Sequence, residues 1–380
     1  MNFLVNAPAT SGARAVNIQA NDLAWDPVNQ VIYLSLPSLD GPNGNSVQIL
    51  EPNSGNLGAS AFAGSEPNLL SVSANSKYLY VSLNGSSNVQ RLTLPALGTD
   101  IQIHLGSDPF DGPFYAMDLQ ASPASDGAVA VVRGAAMVSP MEEGGVVIYD
   151  DGTARPNVLC GWIQSNCPSH ASLYDSVQWN NDATMMFAQN NEDTAFNFYS
   201  IPVTSAGFGS QTDFGALLSG FGESIHYDST TGDVYGDYGG IVDPIAGTLI
   251  GTFAASGLMI PDGAHGKAFF LGQTSSQTGT SNFTIESFDI QKFTPIATLT
   301  IANVAGSPTH LIRWGTNGLA FTTTNNGSGS NQHGEVYLIS GSFVDGRDVP
   351  KLRPVENVRW TWNSGKGPLQ SPAVSKISGP

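Results

Sequence analysis

The stretch Asn68-Leu-Leu-Ser-Val-Ser-Ala-Asn-Ser-Lys-Tyr-Leu-Tyr-Val81 decides the fold of this 380-residue chain. It runs from a polar residue through an apolar segment and a polar turn into a second apolar segment. The earlier stretch Asn21-Asp-Leu-Ala-Trp-Asp-Pro-Val-Asn-Gln-Val-Ile-Tyr-Leu34 has the same pattern. Five looser copies follow at a spacing of about 48 residues; they begin near Met117, Asp175, Glu223, Ser256 and His310. A unit of this length holds about four short strands, which is typical of one blade of a β-propeller.

Helix signals are nearly absent, because Gly or Pro interrupts every longer stretch with a 3.6-residue period. The sequence therefore predicts an all-β fold, a seven-bladed β-propeller of four-stranded antiparallel blades, over residues 13–344. Residues 13–18 precede the first copy as 57–62 precede the second, so we expect them to form the outer strand of the last blade and close the ring. We expect residues 345–380 to form an extended tail that packs on the propeller through Trp360 and Trp362.

The second copy also carries a family resemblance. Its Tyr80-Val81 pair and the Asn84-Gly-Ser turn that follows resemble the repeat of YVTN-type seven-bladed propellers from bacterial secreted and surface proteins. That family is mainly known as repeat modules of uncertain activity. A more distant resemblance to propeller lactonases and polysaccharide lyases transfers no catalytic motif to this chain.

Charge excludes several classes of function. The chain has 14 Lys+Arg against 31 Asp+Glu, a formal net charge of −17, and a pI near 4.4. A surface this acidic repels phosphate backbones, so we expect no nucleic-acid partner. No apolar run approaches the roughly 18 residues of a membrane span. We expect a monomer.

The ends and the cysteines bear on the compartment. Residues 1–12 lack the basic and apolar regions of a secretory signal; they read either as an ordinary strand and linker or as the last strand of an Ig-like module in a longer secreted protein. Cys160 and Cys167 are too few for a structural zinc site and are spaced to close a small disulfide loop; we favour this disulfide over the alternative of two free thiols. A disulfide would favour an extracellular or cell-surface location.

Aligning the seven copies separates packing positions from candidate site positions. One position is aliphatic in every copy, as expected for packing between blades: Leu23, Leu70, Leu119, Val177, Ile225, Leu258 and Ile312. Two residues earlier the position is mostly polar and opens the innermost strand: Asn21, Asn68, Met117, Asp175, Glu223, Ser256 and His310. These side chains should ring the mouth of the central channel, where they either bind a ligand or only line a water-filled channel.

The long connections are predicted on this same face, which suggests a binding surface carried on a rigid scaffold. Aromatic residues populate it, and they suit stacking against sugar rings: Phe110, Phe114, Tyr115, Trp162, Tyr174 and Phe221. For Phe110 and Phe221 we favour a role in covering loop cores.

Two functions follow as hypotheses. The favoured one is a secreted or surface-displayed binding module for a glycan, protein or cell-envelope ligand. Its predicted ligand-binding residues are Asn21, Asn68, Tyr115, Asp118, Tyr174 and Arg313. The alternative is a propeller hydrolase or lyase acting on a lactone, ester or acidic polysaccharide.

The alternative needs a base or a metal at the channel mouth. Its candidate catalytic residues are His226, His310, Glu223 and Asp175, of which Asp175, Glu223 and His310 are also the metal candidates. No cofactor is firmly implied, although a divalent cation such as Ca²⁺ could lie in the channel. Lone histidines in β-rich proteins are more often structural than catalytic, so the sequence leaves catalysis open.

Overall fold

The structure is a computed structural model that describes residues 12–109, 112–135, 142–159, 174–192, 194–277, 280–324 and 334–345. These residues form seven antiparallel sheets, and the first strands of neighbouring sheets contact one another around a common axis. The predicted all-β, seven-bladed propeller is confirmed. Among the described residues, no helix has the length and hydropathy of a membrane span.

The chain begins with β1 (Ala13–Val16) and then builds each blade from the axis outward. Blade 1 contains β2 (Asp22–Asp26), β3 (Val31–Leu36), β4 (Ser46–Glu51) and β5 (Asn56–Phe62). Blade 2 contains β6 (Pro67–Val72), β7 (Tyr78–Leu83), β8 (Asn88–Thr93) and β9 (Gly98–His104). Blade 3 contains β10 (Ser107–Asp108), β11 (Gly112–Ala121), β12 (Ala128–Ala135), β13 (Glu142–Asp150) and β14 (Thr153–Ala154). Blade 4 contains β15 (Ser176–Trp179), β16 (Met185–Gln189), β17 (Phe198–Thr204), β18 (Gly207–Phe208) and β19 (Thr212–Asp213), and its outer position is shared by the last two.

The remaining blades are more regular. Blade 5 contains β20 (Ile225–Tyr227), β21 (Val234–Gly236), β22 (Gly240–Asp243) and β23 (Thr248–Thr252). Blade 6 contains β24 (Leu258–Asp262), β25 (Lys267–Gln277), β26 (Thr280–Asp289) and β27 (Thr294–Ala305). Blade 7 contains β28 (Ser307–Trp314), β29 (Gly318–Thr324) and β30 (Val336–Ser340). Short helices occupy Ser38–Asn43, Gly263–His265 and Ser342–Asp345.

The outer strand of blade 7 is β1, which comes from the other end of the described chain. It pairs antiparallel with β30, from Ala13 opposite Ile339 to Val16 opposite Val336. Ala13 is buried there. The pairing covers the β30 edge, which would otherwise present unpaired backbone groups. Most of residues 345–380, including Trp360 and Trp362, lie outside the described residues, as do residues 1–11.

The inner strands fix where a site can form. The aliphatic position packs between blades: Leu23, Leu70, Leu119, Val177 and Ile225 are buried, whereas Leu258 and Ile312 are half-buried. Because neighbouring strands are antiparallel, each second strand ends on the face where the first strand begins. The connections from second to third strand therefore lie on that face, which we call the cavity face. The opposite one is the turn face.

Candidate functional site

A cavity of about 980 Å³ opens on the cavity face, and all seven blades contribute to its lining. Its lining includes four carboxylates and two imidazoles: Asp22, Asp118, Asp175, Glu192, His226 and His310. No Lys or Arg side chain lines it among the described residues. The cavity is therefore a concave space on the ring axis, lined by acidic, other polar and apolar side chains, and of the size that small-molecule ligands occupy.

Most of the sequence-predicted site residues meet at this cavity. Those that line it are Asn68, Tyr115, Asp118, Asp175, His226 and His310. Asn21 lies just outside the lining, where its Nδ2 donates to the Pro67 carbonyl at 2.8 Å and ties blade 1 to blade 2. Glu223 lies behind the wall; it is 1% exposed, and its Oε1 accepts the Tyr238 N–H at 3.0 Å.

Two predicted ligand-binding residues lie away from the cavity. Tyr174 is 2% exposed and packs against the Tyr199 ring, with centroids 5.4 Å apart, in the core between blades 3 and 4. Arg313 is the second-last residue of β28, so it reaches the turn face, where its Nη2 pairs with Asp262 Oδ2 at 3.1 Å. The inner strand separates Arg313 from the cavity mouth, and the structure does not bring it to the other candidates.

Two of the cavity carboxylates hold neighbouring blades together. Asp22 Oδ2 accepts the Leu70 N–H of blade 2 at 2.7 Å, and Asp118 Oδ2 accepts the Val177 N–H of blade 4 at 2.8 Å. Desolvation raises the pKa of Asp118, although the hydrogen bond from Val177 opposes this shift. Both side chains therefore link neighbouring blades, although they also border the cavity.

Among the described residues, Asp175 and Glu192 do not link neighbouring blades in this way. Asp175 is 7% exposed, and its Oδ2 accepts the N–H groups of Asn191 and Glu192 at 2.7 and 3.0 Å. Its Oδ1 is buried and has no hydrogen-bond partner in the described part of the chain. Burial, followed by the charge of Asp175, raises the pKa of Glu192. Sequence alignment on inner strands missed Glu192 because it follows the second strand of its blade.

Each cavity histidine faces a carboxylate. His226 Nε2 lies 2.9 Å from Asp237 Oδ1, and the same carboxylate accepts the N–H groups of Ser224 and Met259. His310 Nε2 lies 3.7 Å from Asp22 Oδ1. Within the described residues, the buried His310 Nδ1 atom has no partner. The other candidate catalytic residues, Glu223 and Asp175, do not make these contacts, and Asp237 was missed because it also follows a second strand.

An aromatic rim stands beside the cavity at blades 4 and 5. Phe221 is 59% exposed and Tyr238 is 49% exposed, and the Tyr238 hydroxyl donates to the Phe221 carbonyl at 3.1 Å. Phe196 supports Phe221 by an edge contact with centroids 5.0 Å apart. The next residue after Phe221, Gly222, lines the cavity. The expectation that Phe221 covers a loop core does not fit this exposure.

The other predicted aromatics do not extend this rim. Phe114 is 5% exposed and packs beneath the Arg133 guanidinium, so it belongs to the core. Phe110 and Trp162 lie outside the described residues, as do Cys160 and Cys167, so the disulfide stays a prediction. Within the described chain, no three His, Cys, Asp or Glu side chains are arranged to hold a metal ion.

Comparisons with known proteins extend the fold assignment only. No family model matches the chain, so the resemblance to YVTN-type repeats stays a prediction. No curated protein matches it either. Among solved structures, the chain is similar to the β-propeller domain of Myceliophteria thermophila Cps50 (Swd1), with a TM-score of 0.59 and 10% identity over 87% of this chain and 99% of that one. A weaker match is dihydro-heme d1 dehydrogenase NirN in complex with DHE, with a TM-score of 0.46 and 11% identity over 75% of this chain and 67% of that one.

Proposed function

We propose that this propeller is a non-catalytic binding module, secreted or displayed on the cell surface, that recognises a glycan on its cavity face. The observation that carries the proposal is the axial cavity itself, which combines carboxylates and amides from several blades with the exposed rings of Phe221 and Tyr238. Polar groups that converge in a concave site beside exposed aromatic rings suit a ligand with many hydroxyls and flat, weakly apolar ring faces.

Electrostatics narrows the glycan class. Four carboxylates line the cavity, and neither Lys nor Arg does within the described residues. The net charge of −17 adds a long-range repulsion toward anionic polymers. Neutral or cationic glycans are therefore favoured over acidic ones, and nucleic acid is disfavoured.

A calcium ion in the channel and a location outside the cell are two further proposals. A Ca²⁺ ion needs six to eight oxygen ligands. The described side chains offer no group of three acidic or imidazole ligands, so such an ion would depend on backbone, water or ligand oxygens. We place the module outside the cell because the Cys160–Cys167 spacing suits a disulfide.

The test is a binding measurement on a panel of neutral, amino and acidic oligosaccharides. We expect wild-type protein to bind members of the first two groups, and Phe221→Ala to weaken that binding about tenfold, since loss of one stacked ring removes about 1 kcal/mol or more. Phe62→Ala is the matched control, because Phe62 is 71% exposed but lies on the outermost strand of blade 1.

Binding of acidic glycans alone, or of no glycan, would contradict the proposal. An equal loss in both Phe variants would contradict the location of the site, because Phe62 lies on an outermost strand whereas Phe221 directly precedes the cavity-lining Gly222.

One observation favours the enzymatic alternative, a lactone or ester hydrolase. The 2.9 Å contact between His226 and Asp237 is the geometry of a carboxylate-oriented base, and His226 borders the cavity. Turnover of an aryl ester or lactone that His226→Gln abolishes, with the fold intact, would establish this alternative over the binding module. An acidic polysaccharide is a poor substrate for this cavity, for the electrostatic reason given above.

A further inference from the structure

The Asp175 carboxylate borders the cavity and is only partly satisfied. The residue is more than nine-tenths buried, one carboxylate oxygen accepts two backbone N–H groups, and the other accepts none within the described residues. A buried anionic oxygen without a partner is costly, and native proteins usually provide one. The missing partner should be a donor that carries positive charge.

Glu192 donates its backbone N–H to Asp175 Oδ2, and its own carboxylate is close enough for the charge of Asp175 to raise its pKa. It borders the same cavity, and no hydrogen bond or ion pair to its carboxylate occurs within the described residues. The histidines of the cavity are engaged elsewhere, His226 with Asp237 and His310 toward Asp22. Asp175 and Glu192 therefore form a pair of carboxylates without a cationic partner in the described part of the chain.

We infer that Asp175 and Glu192 bind the ammonium group of an amino sugar, so that the glycan taken up on the cavity face contains free glucosamine-type units. This inference rests on the proposed function. An ammonium group has three N–H donors and a single positive charge, which match two carboxylates better than the six to eight oxygens that Ca²⁺ requires. The exposed ring of Phe221, next to the cavity-lining Gly222, supplies a surface on which the pyranose can stack.

The experiment compares two hexasaccharides that differ in whether their 2-amino groups are free and charged or acetylated and neutral. Full-length protein is titrated calorimetrically at pH 6 with a hexamer of glucosamine and, separately, with a hexamer of N-acetylglucosamine. The amines of the first are mostly protonated at this pH, whereas the second is neutral. We expect the glucosamine hexamer to bind at least about tenfold more tightly, because a charged pair in a desolvated site commonly contributes this much.

Two variants locate the effect, and a third controls for charge. Asp175→Asn keeps one oxygen for the two backbone N–H groups and replaces the unpartnered oxygen by an amide donor, so the fold should survive. Asp175→Asn and Glu192→Gln should each reduce the preference for the glucosamine hexamer to about threefold or less. Glu66→Gln makes the same charge change on the cavity face, outside the cavity lining, and should retain the full preference.

The outcomes separate this inference from the proposed function. Equal affinity for both hexamers would overturn the ammonium site while leaving glycan binding intact. Failure of every glycan on the panel would overturn both. Binding of poly-L-lysine but of neither hexamer, with the same dependence on Asp175, would overturn the amino sugar in favour of a protein amine. Binding of CaCl₂ alone that Asp175→Asn abolishes would overturn it in favour of a metal.

Discussion

Glu223 illustrates how a single buried carboxylate acts on stability. Burial, with a smaller contribution from Asp237, raises its pKa above the usual 4.5, although hydrogen bonds from Tyr238 and Gln189 oppose the shift. A group whose pKa is raised by folding stabilises the folded state at pH values below its unfolded pKa. That contribution is lost as the pH rises through the folded pKa. At neutral pH, the ionised Glu223 therefore lowers the free energy of unfolding.

We expect Glu223→Gln to increase the free energy of unfolding at pH 7 by about 1 kcal/mol. The amide keeps an acceptor for the Tyr238 N–H and removes the buried charge. Gln189 Nε2, which donates to Glu223 Oε2, must then turn away so that the new amide donates to Gln189 Oε1, an atom with no partner within the described residues. Urea denaturation at pH 7 and at pH 4 measures the effect, and the gain should shrink at pH 4, where wild-type Glu223 binds a proton. A variant that is less stable than wild type at pH 7 would contradict this account.

Residue positions on the inner strands were predictable from the repeat. Alignment placed Met117 opposite Asn21 and therefore Asp118 opposite Asp22, and the two carboxylates make equivalent contacts, since each accepts an N–H group from the next blade. This equivalence holds although a β-bulge between Ala116 and Asp118 interrupts the pairing of β11 with β12. The alignment of first strands missed Glu192 and Asp237, because both residues follow second strands.

At the scale of elements, the turns on the turn face link neighbouring blades through carboxylates. In the turn between β11 and β12, Asp126 Oδ1 accepts Ser73 Oγ at 2.7 Å and the Asn75 N–H at 2.8 Å, both from blade 2. The Tyr80 hydroxyl donates to the Asp126 carbonyl at 2.8 Å. Desolvation opposes ionisation, but the hydrogen bonds from Ser73 and Asn75 lower the pKa of Asp126 below 3.8.

Replacing Asp126 by Ala should lower the free energy of unfolding by about 1–2 kcal/mol at pH 7, because two donors of blade 2 lose a charged acceptor. A lowered pKa contributes stability above the unfolded pKa and loses it as the pH falls through the folded value. The difference between variant and wild type should therefore narrow below pH 3.8 in denaturant titrations. Ser125→Ala, one residue earlier in the same turn, should change stability little; an equal loss there would point to the turn rather than to the carboxylate.

The strands themselves were largely predictable, and the loops were not. A short, mainly apolar segment bounded by turn residues marks strands such as Tyr78–Leu83, in which five of the six residues are buried. The outer position of blade 4 is divided between β18 and β19, and no apolar periodicity in the sequence indicates that division. The exposure of Phe221 depends on how the connection before β20 folds, which a repeat pattern does not specify.

At the scale of the whole molecule, the scarcity of basic residues explains the character of the cavity. The described arginines that make ion pairs are used between or within blades: Arg91 with Asp100 and Asp151, Arg155 with Asp150, and Arg313 with Asp262. None of them lines the cavity. The acidic balance of the sequence therefore appears on the ring axis as carboxylates that no cation of the ring neutralises, and this is where a cationic ligand gains most.

The ring is closed by only four residue pairs, so its integrity depends on β1. We expect deletion of residues 1–16 to lower the melting temperature by about 5 °C or more and to promote association, because it exposes the edge of β30, whose residues Val336–Ile339 are all apolar. Deletion of residues 1–11, which leaves β1 in place, is the matched control. Thermal unfolding with light scattering measures both effects. If the shorter chain melts like the control and stays monomeric, the pairing of β1 with β30 is not what holds the propeller closed.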